Sequence, residues 1–145
     1  MYQPQIWALF DMPPAPTYSS RFITLLGDAA HASTSHAGAG AGMAVEDAFI
    51  LSELLSDQTI SSINNIPAVF AAYNIIRRPR TQRLVDHSRQ SGLLFQLRKP
   101  GVEDDLQKIK ADIKSRQRWV WDINLENHLQ EAKKELRRVL SCGSC

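Results

Sequence analysis

Cysteine is almost absent. The 145 residues hold two, Cys142 and Cys145, both at the very end. A thioredoxin-like dithiol opens a helix after a strand, and a structural zinc takes four ligands. No second Cys or His pair follows, so the pair reads as a reduced tail and no metal site is expected. Charge of one sign is also lacking: 17 Lys and Arg face 15 Asp and Glu, a net of +2, which creates no general field for nucleic acid or anionic lipid. No run approaches the ~20 apolar residues that span a bilayer. The start, Met1-Tyr2-Gln3-Pro4-Gln5, lacks the basic-then-apolar layout of a secretory leader, so the expected compartment is the cytosol. With 43% hydrophobic and 22% charged residues, the composition is that of an ordinary globular chain.

What is present is organised around one segment. Phe22-Ile23-Thr24-Leu25-Leu26, bounded by Ser19-Ser20 and Gly27-Asp28, reads as a buried strand. From Ala29 to Gly42 nearly every residue is small, so the backbone there can approach another molecule closely. Met43, Val45, Ala48, Phe49, Leu51, Leu54 and Leu55 then recur at helical spacing as far as Ser56. The unit is strand, long small-residue loop, helix. Ile6 to Asp11 reads as one further strand, closed by Met12-Pro13-Pro14-Ala15-Pro16.

Downstream the pattern is helical. A second helix is expected from Pro67 to Ser91, with a kink or break near Arg77-Arg78 because Pro79 removes a donor. After the turn at Lys99-Pro100-Gly101, Leu106, Ile109, Ile113 and Val120, then Leu125, Leu129, Leu136 and Leu140, keep helical spacing, with a break near Trp121 to Asn124. Asp104/Lys108 and Asp112/Arg116 are spaced for i,i+4 support. The expected class is an α/β fragment, mostly helical, divided into residues 1–57, a linker at 58–66 and a helical region at 67–145. One or two strands beside long amphipathic helices leave edges unpaired, so the chain reads as part of a larger fold.

Gly38-Ala39-Gly40-Ala41-Gly42 suggests a dinucleotide fingerprint, but the third glycine of G-x-G-x-x-G would fall at Met43, and the run does not turn directly from strand into helix. From the glycines alone, a close-packing turn and a ligand cradle are both open. Asp28 favours the cradle. A carboxylate at the carboxyl end of a strand lies where open α/β sheets bind ligands, and its acceptor oxygens suit ribose- or ribityl-type hydroxyls. The positive end of a helix beginning near Gly42 would stabilise electron density on a bound ring.

Leu25-Leu26-Gly27-Asp28-Ala29-Ala30-His31, the glycine run and Glu46-Asp47-Ala48 with Leu51 together resemble the second FAD-binding motif of the single-component FAD-dependent aromatic monooxygenases, in particular the salicylate hydroxylase-like enzymes of fungi. The flanks, Trp7 to Pro14 before it and Tyr73, Arg77-Arg78-Pro79-Arg80 and Ser88-Arg89 after it, extend the resemblance over nearly the whole chain. The resemblance implies that Asp28 holds the ribityl chain of FAD and that the backbone of Gly40, Ala41 and Gly42 faces the pyrimidine edge of the flavin. It implies hydroxylation of an aromatic or polyketide-like molecule with NAD(P)H and O2. Ser35 stands where the family usually has proline. Ser35 and His36 are the candidate substrate contacts, and no catalytic residue is assigned.

The N-terminal dinucleotide fingerprint and the middle motif of that family have no counterpart here, so the expected chain is a truncated C-terminal part. Its expected partners are the small aromatic substrate and a complementing N-terminal chain or a second copy, with no nucleic acid and no membrane. The alternative is a non-catalytic remnant or interaction module. Among the remaining residues, His31 is expected to be structural and Glu46 and Asp47 to stabilise a helix start. Arg77, Arg78, Arg80 and Arg83 are expected at solvent or a docking face, and Trp119 and Trp121 in packing.

Overall fold

The computed structural model describes residue 3, residues 5–116 and residues 118–142. Of the Cys142/Cys145 pair only Cys142 falls within them, exposed and unbridged, so the pairing itself lies outside the described residues.

The strand expectation is the main correction. The segment after Thr17 is a small antiparallel hairpin, β1 (Ser19–Ser20) and β2 (Ile23–Thr24), with Ser19 opposite Thr24 and Ser20 opposite Ile23. Phe22 and Ile23 are exposed rather than buried. A buried strand needs neighbours on both edges and cover on both faces. Here the pairing extends over two residues, and the apolar run turns outward. Residues 6–11 form no strand, and Ile6 and Trp7 are 97% and 79% exposed.

The helices follow the sequence pattern closely. A single turn, α1 (Asp28–His31), leads through a 3₁₀ turn at Ser35–Ala37 into α2 (Gly40–Leu55). Residues 58–66 include a 3₁₀ turn at Ile63–Asn65, started by a reciprocal Ser62/Asn65 cap. Next come α3 (Ile66–Phe95), α4 (Leu106–Arg116), the short α5 (Arg118–Trp121) and α6 (Leu125–Cys142). The break expected near Arg77-Arg78 does not occur: α3 continues through Pro79. Ile75 and Pro79 are both exposed, so the carbonyl deprived of its donor lies on the outer face of α3, within reach of water.

The core is where three helical stripes meet. Ile50 and Leu54 of α2, Val69, Ala72 and Tyr73 of α3, and Leu129, Ala132 and Leu136 of α6 form one buried cluster with Tyr18 and Ala30. Each fully buried leucine or isoleucine contributes about 1.5–3 kcal/mol, so α6 is held by its stripe rather than by its charged outer face. These contacts cross the 58–66 segment. A smaller cluster of Ala39, Met43, Leu84 and Val120 packs the start of α2 against α3 and α5.

Tyr18 fastens the hairpin to α3. Its N–H donates to Asn74 Oδ1 at 2.8 Å and its hydroxyl lies 2.8 Å from Thr81 Oγ1. The charge pairs of α4 differ in part from expectation. Arg116 and Lys99 both pair with Asp112, whereas Lys108 meets Asp105, 3.8 Å away, rather than Asp104.

Candidate functional site

The small-residue loop is set by a buried ion network. Asp47 projects from the inner face of α2, fully buried, and accepts three bonds. His31 Nε2 donates to Oδ2 at 2.6 Å, Gly27 N–H to the same oxygen at 3.2 Å, and Arg77 Nε to Oδ1 at 2.7 Å. Arg77, also fully buried, donates through Nη1 to Glu46 Oε2 at 2.8 Å and through Nη2 to the Met43 carbonyl at 3.3 Å. Arg80 grips both oxygens of Glu46 at 2.8 Å and donates to the carbonyls of Trp119 and Val120. The expected helix-start role of Glu46 and Asp47 is therefore replaced by anchoring of α1, α2, α3 and α5. Arg77 and Arg80 are internal rather than solvent-facing, and His31 is structural.

Gly27 explains its own identity. At φ +60° it takes a conformation that side chains disfavour, and a Cβ there would meet the Ala44 Cβ at 3.3 Å. Its position lets α1 start against α2 and leaves the next residue, Asp28, exposed, its carboxylate without a hydrogen-bond partner among the described residues.

Gly40, Ala41 and Gly42 form the first turn of α2. The first backbone bond of that turn runs from Met43 N–H to the Ala39 carbonyl at 3.0 Å, and no side chain caps the helix. The N–H groups of residues 40–42 thus have no acceptor among the described residues. Ala41 and Gly42 are exposed, and a Cβ on Gly42 would meet nothing within 4 Å. Beside them lies a cavity of about 220 Å³ lined by Gly38, Ala39, Gly42, Met43, Glu46, Val120 and Trp121. Trp121, expected in packing, is 64% exposed at its rim. Unpaired donors at a positive helix end and a free carboxylate nearby in sequence suit an electron-rich ring edge and a polyhydroxyl chain. They fit the flavin-ring half of FAD. Nothing among these residues forms a pyrophosphate cradle.

No family model matches the chain. Curated relatives do. A salicylate hydroxylase of Pseudomonas putida is 39% identical over 133 residues, 92% of this chain and 30% of the relative. A 6-methylsalicylate 1-monooxygenase of Aspergillus terreus is 41% identical over 90% of this chain and 29% of its own length. An FAD-dependent monooxygenase of Stachybotrys chartarum is 38% identical over 90% and 28%. The solved structure of a salicylate hydroxylase substrate complex superposes with TM-score 0.83 at 42% identity, covering 87% of this chain and 30% of that one. Over about 90% of its length the chain is similar to a part of proteins named salicylate hydroxylase, 6-methylsalicylate 1-monooxygenase and FAD-dependent monooxygenase. It spans about 30% of the length of the relatives it matches.

The remaining candidates sit on the 3₁₀ turn. Ser35 is exposed, and its carbonyl accepts from Gly38 N–H at 3.1 Å. His36 is half-buried and lines a separate cavity of about 270 Å³ with Leu9, Thr34, Arg89, Gly92, Leu93 and Gln96. Two residues of α3 that sequence reasoning left without a role fix this turn. Ser88 donates its hydroxyl to the Thr34 carbonyl and accepts from Ala37 N–H at 3.1 Å and Thr34 Oγ1 at 3.0 Å. Gly92 makes room for the His36 ring: a Cβ there would lie 2.8 Å from Cε1. The loop thus gains from Ser88 the constraint that a proline at position 35 would have given it.

Gly92→Ala must displace the His36 ring from α3. The expected readout is a changed ring environment at His36 in the histidine NMR spectrum with the helix content retained; an unchanged His36 resonance would contradict the contact.

The network also dictates an acid response. Arg77 Nη1 donates to His128 Nε2 at 3.1 Å, which requires that nitrogen unprotonated. Burial first, and then the charges of Arg77 and Arg80, hold His128 below its ordinary 6.5. Burial pushes Asp47 up, but the His31 hydrogen bond and the Arg77 charge outweigh it and leave the carboxyl below its ordinary 3.8. Burial likewise opposes the Arg80 and Arg77 partners of Glu46, which end by holding it below 4.5. Each folded value lies below the unfolded one, so each contribution is complete above the ordinary value and is lost as pH falls. Urea unfolding is expected to weaken from pH 6.5 downward and again below about pH 4. His87, also held below its ordinary value by burial, adds to the first stage, so His128→Phe should reduce that stage without abolishing it; an identical profile in that variant would exclude His128.

Proposed function

We propose that the chain supplies the flavin-ring side of an FAD site in a monooxygenase that hydroxylates an aromatic or polyketide-like small molecule, with NAD(P)H as reductant. The observation that carries this reading is the open first turn of α2. Its amides at Gly40, Ala41 and Gly42 are unpaired, in a segment whose relatives are named FAD-dependent monooxygenases.

In this reading the Asp28 carboxylate accepts hydrogen bonds from the ribityl hydroxyls, and the three amides donate to the pyrimidine edge of the ring. The bound flavin supplies the oxygen chemistry, and the protein supplies position and field. Ser35 and His36 face the substrate side. The division into a flavin-side segment at 1–57, a connection at 58–66 and a helical support at 67–145 belongs to the same proposal, as does a cytosolic setting. The pyrophosphate and adenine contacts would come from a complementing N-terminal chain or from self-association. A second reading, an interaction module without catalysis, is favoured by one observation: Ile6, Trp7, Phe10 and Ile23 are all at least 70% exposed, an apolar surface made for cover.

Purification of the 145-residue chain, followed by the ratio of flavin to protein absorbance, tests the proposal. The expected result is a chain without stoichiometric flavin that binds added FAD weakly, because the contacts to the other half of the cofactor are missing. Asp28→Ala should weaken that binding by roughly 1.5–3 kcal/mol, the worth of hydrogen bonds to a charged group. Unchanged affinity in the variant would remove Asp28 from the site, and submicromolar binding by a monomer would contradict the half-site reading.

A further inference from the structure

A cavity of about 300 Å³ lies between α3, α4 and the turn at Lys99, and it shares no lining residue with the two cavities of the glycine loop. At its wall His87 is 9% exposed. Its ring stands edge-on to Trp119, centroids 5.5 Å apart at 88°, and its nitrogens have no hydrogen-bond partner among the described residues. The nitrogens are not sealed from solvent, unlike those of a fully enclosed ring, so the polar edge of the imidazole is open to an occupant of the cavity.

The charges around it are predominantly positive. The Arg83 guanidinium lies 4.1 Å over the Trp119 ring and meets no carboxylate among the described residues. Lys99 and Arg116 converge on the same carboxylate, Asp112, so one negative charge serves two cations. Among the described residues Asp86 is the only other acid lining the cavity, and it is exposed. Burial and then the charges of Arg116 and Arg83 hold His87 below its ordinary value against the opposing pull of Asp112 and Asp86. Three cationic side chains, Arg83, Lys99 and Arg116, thus line the cavity against two carboxylates, Asp86 and Asp112.

We propose that this cavity binds a phosphoryl oxyanion, with His87 donating to it and Arg83, Lys99 and Arg116 supplying the positive charge. Donors arriving from α3, α4 and the Lys99 turn suit an anion that accepts in several directions, which a tetrahedral phosphoryl group does and a planar carboxylate does less well. The charge of a bound dianion would also stabilise protonated His87, so binding takes up a proton. The proposal stands independently of the flavin reading.

Titration of inorganic phosphate into the full chain, followed by histidine NMR at ionic strength matched with chloride, tests it. The expected result is a saturable shift of the His87 resonance and a rise in its titration midpoint, with His31, His36 and His128 unmoved. Arg83→Gln, which removes no ion pair of the fold, should weaken binding about tenfold. A parallel titration with AMP separates the sources: tighter binding than phosphate assigns the site to a phosphate monoester on a nucleotide, and equal or weaker binding assigns it to the free anion. A His87 resonance that neither ligand moves, or that chloride moves equally, would overturn the proposal.

Discussion

The contact between Asp47 and Arg77, both without solvent exposure, is the constraint on which the rest depends. A buried charge left alone costs several kcal/mol, so each of the two fixes the other and every group that completes its hydrogen bonding. Through Asp47 that means Gly27 and His31, hence the start and end of α1. Through Arg77 it means Glu46 and the Met43 carbonyl, hence the first two turns of α2. The glycine turn has no side chains to hold it, and its geometry is borrowed from charges on the inner faces of two helices.

This arrangement leaves a division of labour. The inner side of the loop is spent on structure, with the His31 ring and the Gly27 amide both bonded to the Asp47 carboxylate. The outer side keeps its polar groups free, with the amides of Gly40 to Gly42 and the Asp28 carboxylate facing outward. The exposed apolar residues of the N-terminal segment and hairpin lie in a chain about 30% as long as its relatives.

Long helices were legible because their apolar residues repeat without interruption: α2 and α6 lie within a few residues of the pattern. The strand at 22–26 was misread because a β-branched run indicates apolar surface but not whether a partner strand is at hand. The glycine loop was marked out by its small residues, whereas what supports it was not. Glu46 and Asp47 look like acids at a helix start, yet Asp47 is four residues after Met43, three before Ile50 and seven before Leu54. Arg77 is likewise four after Tyr73 and seven before Leu84. Charges of opposite sign placed within two apolar stripes are the signal of a buried pair. Ser88 and Gly92, one turn apart on α3, carry no such signal, since their role depends on a turn more than fifty residues away.

A double-mutant cycle on Asp47→Asn and Arg77→Met, read by urea unfolding, addresses the central claim directly. Each single change should cost about 3–5 kcal/mol, because it strands a buried polar partner, and the double change should cost much less than their sum. Strictly additive losses would mean that the two residues act separately and that the glycine turn is held by something else.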